Sequence, residues 1–284
     1  MPNLSRLSAA SVSLAALAAL SSVSAQPRPR TPVTAAASRP LTLREATQRL
    51  QSADPDEITE GVDALTRIGT ADAVPPLVNL LRSGLPDDLL DLVVTKLGIL
   101  GRPEAIEELG SLLRHRRPAV RLRAVTSLSQ IRDERSRGLI ESGLRDSNNG
   151  VRAEAARALG RINARASLSL LQRAFERNIP EAAESIGALG DAPAAEHLLE
   201  SVGHAPLSVL LPGFRRFLDR RDLPDPVKLR IVEQLVSRSP TTQVKAFLQE
   251  WVRELPLADR SRARARAELA IRQINDAPSA GAPR

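Results

Sequence analysis

A helical unit that recurs about every 31 residues constrains this chain more than any single motif in it. Val120, Arg121, Ala124, Leu128 and Ile131 return as Val151, Arg152, Ala155, Leu159 and Ile162. The apolar members recur at a spacing of three to four residues, which lines one face of an α-helix. The second half of the unit returns as well, since Leu139, Ile140 and Leu144 are matched by Leu170, Leu171 and Phe175. Each unit therefore reads as two amphipathic helices. Neither could bury its apolar face without a neighbour.

The ladder extends both ways. Val94, Leu97 and Leu100 with Leu109, Leu112 and Leu113 form one upstream unit, and Val62, Leu65 and Ile68 with Leu77, Leu80 and Leu81 form another. Downstream, Ile186, Leu189, Leu198 and Val202 continue it after a shortened step of about 27 residues, which makes five units. Similar junctions separate the two helices of several units: Ile68-Gly69-Thr70-Ala71-Asp72-Ala73, Leu100-Gly101-Arg102-Pro103-Glu104-Ala105 and Leu189-Gly190-Asp191-Ala192-Pro193-Ala194. In each, the glycine suits a left-handed helix end. Asp72 and Asp191 are placed to cap the next helix, while Pro103 and Pro193 suit its first turn.

These junctions, followed by Val74-Pro75-Pro76-Leu77 or Ala105-Ile106-Glu107-Glu108-Leu109, resemble HEAT repeats, in particular the short subtype associated with phycobilisome lyases. Val151-Arg152-Ala153-Glu154-Ala155-Ala156-Arg157-Ala158-Leu159-Gly160 carries the resemblance most fully, and residues 54–203 carry it overall. It implies an all-α, right-handed α-solenoid of stacked antiparallel helix pairs, HEAT- or armadillo-like. For function it implies little, because the same repeat serves scaffolds, adaptors and some enzymes.

The apolar content agrees with slender helices in close stacking: Leu, Ala, Ile and Val dominate, beside four Phe, one Trp and no Tyr. No sustained alternation of period two suggests a strand. Beyond the clear repeats, helices are expected over 207–218, 227–236, 244–255 and 260–274, the last a solvated cap rich in Arg260, Arg262, Arg264, Arg266 and Arg272. The solenoid thus spans 41–275, followed by a disordered tail over 276–284.

The first 25 residues read differently. Arg6 precedes an apolar stretch from Leu7 to Leu20, and Val23-Ser24-Ala25 offers small residues for cleavage. A signal peptide cut after Ala25 is expected, with a flexible linker over 26–40 and a periplasmic or secreted address. The stretch is too short and too rich in Ala and Ser for a transmembrane anchor, which needs roughly 20 apolar residues. The chain has no cysteine, so its stability must come from packing rather than disulfides.

The formal charge is +7, or +6 once Arg6 leaves with the leader. Arginines cluster at Arg114, Arg116 and Arg117, a candidate basic patch, and again at Arg132, Arg135 and Arg137 and at Arg215, Arg216, Arg220 and Arg221. Such clusters serve either polyanion binding or ion pairs between repeats. Arg121 and Arg152 recur at equivalent positions and Asp146 precedes Arg152, as a structural ladder would require, which favours the second use. With Trp251 as the one large stacking platform, nucleic acid is not expected as a partner.

No nucleophile elbow, phosphate loop or zinc helix is present. His197, Glu200 and His204 share a helical spacing, but Gly203 and Pro206 end the helix before His204 could align, so no metal site is expected. The reading is a non-enzymatic scaffold or adaptor, monomeric, without cofactor or metal, that binds protein partners. Its candidate surface lies on the second helices: Glu107, Glu108, Glu141, Gln172, Arg173, Glu196 and Glu200. A polyanion binder using an Arg-rich face, or a lyase-type enzyme on the same solenoid, is the alternative.

Overall fold

The computed structural model describes residues 39–256 and 258–276. The expected leader, the linker up to residue 38 and the tail beyond 276 lie outside the described residues. The described chain is an all-α solenoid of fifteen helices. After α1 (Leu43–Arg49), seven antiparallel pairs follow: α2 (Pro55–Ile68) with α3 (Val74–Arg82), α4 (Asp87–Leu100) with α5 (Ile106–Ser111), α6 (Pro118–Leu128) with α7 (Glu134–Gly143), and α8 (Asn149–Arg161) with α9 (Leu168–Glu176). Then come α10 (Glu181–Leu189) with α11 (Ala192–Glu200), α12 (Leu207–Asp219) with α13 (Asp225–Arg238), and α14 (Thr242–Glu254) with α15 (Arg262–Asp276). The sequence showed five of these pairs as repeats. The last two depart from the repeat pattern yet keep its pairing.

Helix ends follow local chemistry. Gly69 and Gly101 sit in the left-handed region at φ 70° and 63°, where a Cβ would be strained. Gly190 does not: it is extended, because the Asp191 carboxylate takes over the next helix start by accepting the Ala194 amide at 3.1 Å. Asp72 is not the cap expected of it. Thr70 occupies that position, and Asp72 falls inside the short 3₁₀ turn Ala71–Ala73.

The first helices of successive pairs stack closely because small residues face each other. A Cβ on Gly98 would come within 2.7 Å of Ser127, and one on Gly160 within 2.5 Å of the Ser185 hydroxyl. Those two buried hydroxyls each donate across the seam, Ser127 to the Val94 carbonyl and Ser185 to the Ala156 carbonyl, both at 2.8 Å. A larger side chain would separate the helices and leave the bonds unmade. The core between the rows is aliphatic, with Leu97, Leu128 and Leu159 fully buried in α4, α6 and α8.

Between the pairs, arginines hold the connections. Arg121 presents Nε and Nη2 to the two oxygens of Asp146, each at 2.7 Å, and its Nη1 donates to the His115 carbonyl at 2.9 Å. Arg152, one repeat later, donates to the Asp146 carbonyl at 2.8 Å. The Arg121 guanidinium, together with the Asn148 amide, holds the Asp146 carboxyl below the usual carboxylate range. A depressed native pKa contributes stability above the unfolded value, and that contribution is lost as pH falls through the native one. Asp146→Asn is therefore expected to cost about 1.5–3 kcal/mol near neutral pH. In urea melts its deficit against wild type should shrink below about pH 4; a deficit that stays constant down to acid pH would refute the charge-based account.

The terminal helix α15 is less solvated than its arginines suggested. Ala263, Ala267 and Ala270 are fully buried against α13 and α14, with Arg264 bonded outward to Glu268 at 2.9 Å. Small residues on one face let a charged helix close the stack.

Candidate interaction surface

The second helices carry two kinds of polar side chain. One kind is spent on ties to neighbouring repeats. Glu108 accepts Arg82 Nε at 2.8 Å, joining α5 to α3. Glu141 accepts the Ser167 hydroxyl at 2.6 Å and is paired with Arg137, and Glu196 of α11 is paired with Arg230 of α13. The other kind makes no tie between repeats: Glu107 and Arg173 are exposed, Glu200 is exposed and meets only His197 of its own helix, and Gln172 is half-buried. Of the seven side chains selected from helical spacing, three thus brace the scaffold and four face outward.

The histidine cluster falls apart as a ligand set. Helix α11 stops at Glu200, and the chain turns away through Gly203 at φ 91°, leaving His204 exposed off the helix. His197 instead lies between two carboxylates, Nε2 at 3.3 Å from Glu176 and Nδ1 at 3.7 Å from Glu200. Among the described residues no three metal-ligating side chains converge.

Within the basic patch, Arg114 and Arg116 are exposed, while Arg117 pairs with Asp87 at the start of α4. Most other arginines of the clusters are also engaged. Arg123 meets Asp91, Arg215 bonds Asp219 and Glu254, Arg216 reaches Glu184, and Arg220 holds Asp222. Along the first helices these pairs form a ladder, with Lys96 to Asp63 at 2.6 Å and Arg157 to Glu181 at 3.0 Å as further rungs. Trp251 is buried in α14 and offers no stacking face.

A recess near the third and fourth repeats interrupts this ladder of pairs. The turns between α6 and α7 and between α8 and α9 enclose a cleft of about 910 Å³, lined by Gln130, Arg132, Arg137, Arg161, Asn163 and Arg165 among others. Reading for single motifs missed it, because Arg165 is isolated in sequence. The signal lay in comparing the two turns position by position. No helix among the described residues is long and apolar enough to cross a membrane.

Three overlapping stretches, 86–150, 106–181 and 139–212, match the family model for HEAT repeats. No curated protein matches the chain. Among solved structures, the complex of CpcE and CpcF of phycocyanin lyase from Nostoc sp. PCC7120 is 18% identical, covering 86% of this chain and 98% of its own, with a TM-score of 0.46. Human deoxyhypusine hydroxylase in complex with glycerol is 16% identical, covering 82% and 96%, at 0.40. A designed armadillo repeat protein in complex with the peptide (KR)4 is 17% identical, covering 83% and 100%, at 0.36. At these levels none of the three assigns an activity or a partner to this chain. Residues 86–212 match the HEAT-repeat model, and the structure carries helix pairs on both sides of that stretch.

Proposed function

We propose that the protein is an exported, non-enzymatic scaffold that binds a protein partner through its second helices. The observation that carries this reading is the division of labour on that face. Arg82–Glu108, Ser167–Glu141 and Arg230–Glu196 tie successive second helices together, and Glu107, Arg173 and Glu200 project from the braced surface. A backbone cross-braced between repeats loses little conformational freedom on binding, which favours affinity from many modest contacts. Export rests on the apolar leader and the small residues at Val23-Ser24-Ala25.

The test joins both halves. Tagged protein isolated from the envelope of the native host is expected to begin at Gln26 by N-terminal mass spectrometry and to co-purify with a stoichiometric protein. The variant Glu107→Ala/Arg173→Ala/Glu200→Ala should lose that protein while keeping its melting temperature. An intact Met1 on cytosolic material would overturn export. Unchanged capture by the triple variant would overturn the assigned face.

A further inference from the structure

We propose that the cleft between the third and fourth inter-helix turns is a binding site for a compact anion bearing two or more phosphate or carboxylate groups. This stands apart from the scaffold reading, since the cleft lies at the turns and shares none of the free side chains named for the partner face.

The argument begins with the repeat. At the position that opens the way into the second helix, 31 residues apart, the third unit has Asp133, the residue before α7, and the fourth has Ala164, the residue before the 3₁₀ turn Arg165–Ser167 that leads into α9. The next position holds Glu134 in the third and Arg165 in the fourth. In the third turn the acids are used locally: Asp133 accepts the Arg135 amide at 2.8 Å and its guanidinium at 3.0 Å, and Glu134 bonds Arg137. In the fourth turn the same two positions carry no acid and one added base. The two turns face each other across the cleft, so this exchange leaves its wall short of negative charge.

The partners of each lining arginine show where that shortage falls. Arg137 is saturated between Glu134 and Glu141. Arg161 reaches Glu154 at 2.6 Å and the Ser129 hydroxyl at 3.3 Å. Arg165 has only Asp222, at 3.5 Å, and that carboxylate is already held by Arg220 through both its oxygens at 3.0 and 2.7 Å. The Arg220 guanidinium pulls the Asp222 carboxyl down to about 2, so it stays ionised but committed to Arg220. Arg132 is exposed and has no charged partner among the described residues.

Two under-neutralised guanidiniums, one from each turn, therefore open into one recess whose wall also holds the locally paired Asp133, Glu134, Arg137 and Arg161 and, as neutral hydrogen-bonding groups, Gln130 and Asn163. Arginine forks match phosphate and carboxylate alike, two N–H donors to two oxygens. A single charge would satisfy one fork and leave the other; a ligand with two anionic groups bridges both. Macromolecular polyanions need a continuous basic track, and the ion pairs along the first helices, Arg123–Asp91 in the repeats before and Arg157–Glu181 in those after, break any such track.

Isothermal titration of the full chain at about 150 mM salt tests this, with inorganic tripolyphosphate and citrate as probes. One-to-one saturable binding of at least one probe is expected, and the stronger of the two identifies the anion as phosphate or carboxylate. Arg132→Ala/Arg165→Ala should weaken it by about tenfold or more. Arg165→Glu, which restores the pattern of the third turn on an exposed side chain, should abolish it with an unchanged thermal melt. Arg114→Ala/Arg116→Ala should leave it intact. Absence of saturable binding by both probes, or equal weakening by the Arg114/Arg116 variant, would overturn the site.

Discussion

Leu128→Ala and Leu159→Ala are each expected to lower the unfolding free energy by about 2–5 kcal/mol in urea or thermal melts. Both side chains are fully buried, in α6 and α8, at equivalent places in consecutive repeats. Truncation removes three carbons of apolar contact and leaves a void that the neighbouring helices cannot readily fill, because Gly98 against Ser127 and Gly160 against Ser185 already set their closest approach. In a stack each repeat is stabilised chiefly by its two neighbours, so a loss in either central unit weakens two interfaces at once. The two substitutions together should cost more than either alone and broaden the transition. Losses below about 0.5 kcal/mol at both positions would refute the repeat register, since surface changes are of that size.

That register was legible because the helical period repeats residue by residue, and the buried stripe predicted for α6 and α8 is the one observed. Even the shortened step has a simple cause. Helix α8 has thirteen residues and α10 has nine, and losing four residues removes about one helical turn. The apolar stripe then keeps its direction, and Ile186 and Leu189 stay in the core. The last two pairs were legible as helices but not as repeats, because a terminal unit trades the shared stripe for a face that closes the stack, as Ala263, Ala267 and Ala270 do in α15.

The surface was legible only in outline. Helical spacing shows that Glu108, Glu141 and Glu196 leave the core side of their helices, and it cannot show that Arg82, Ser167 and Arg230, from 26 to 34 residues away, arrive beside them. Whether an exposed charge is available or already spent is a property of neighbouring repeats. The same holds for the cleft, where a lone Arg165 acquires meaning from the turn opposite.

Glycine substitutions make the closeness of the first helices measurable. A Cβ on Gly187 of α10 would fall inside the van der Waals envelope of the Gly213 carbonyl of α12, with the Arg216 Cβ at 2.9 Å. Because the obstruction is backbone, no rotamer change relieves it, and the two helices must move apart. Gly187→Ala is therefore expected to destabilise by about 1–3 kcal/mol, the usual penalty of overpacking, despite the better helix propensity of alanine. Gly138 provides the contrast. It lies within α7 on the exposed side, and a Cβ there meets nothing within 4 Å. Gly138→Ala should stabilise by about 0.4–1 kcal/mol, because it only reduces the freedom of the unfolded chain. Opposite signs from one chemical change, read in parallel urea melts, would show that the first helices are set at backbone contact distance. A stabilising Gly187→Ala would mean that α10 and α12 lie farther apart than the small residues between them require.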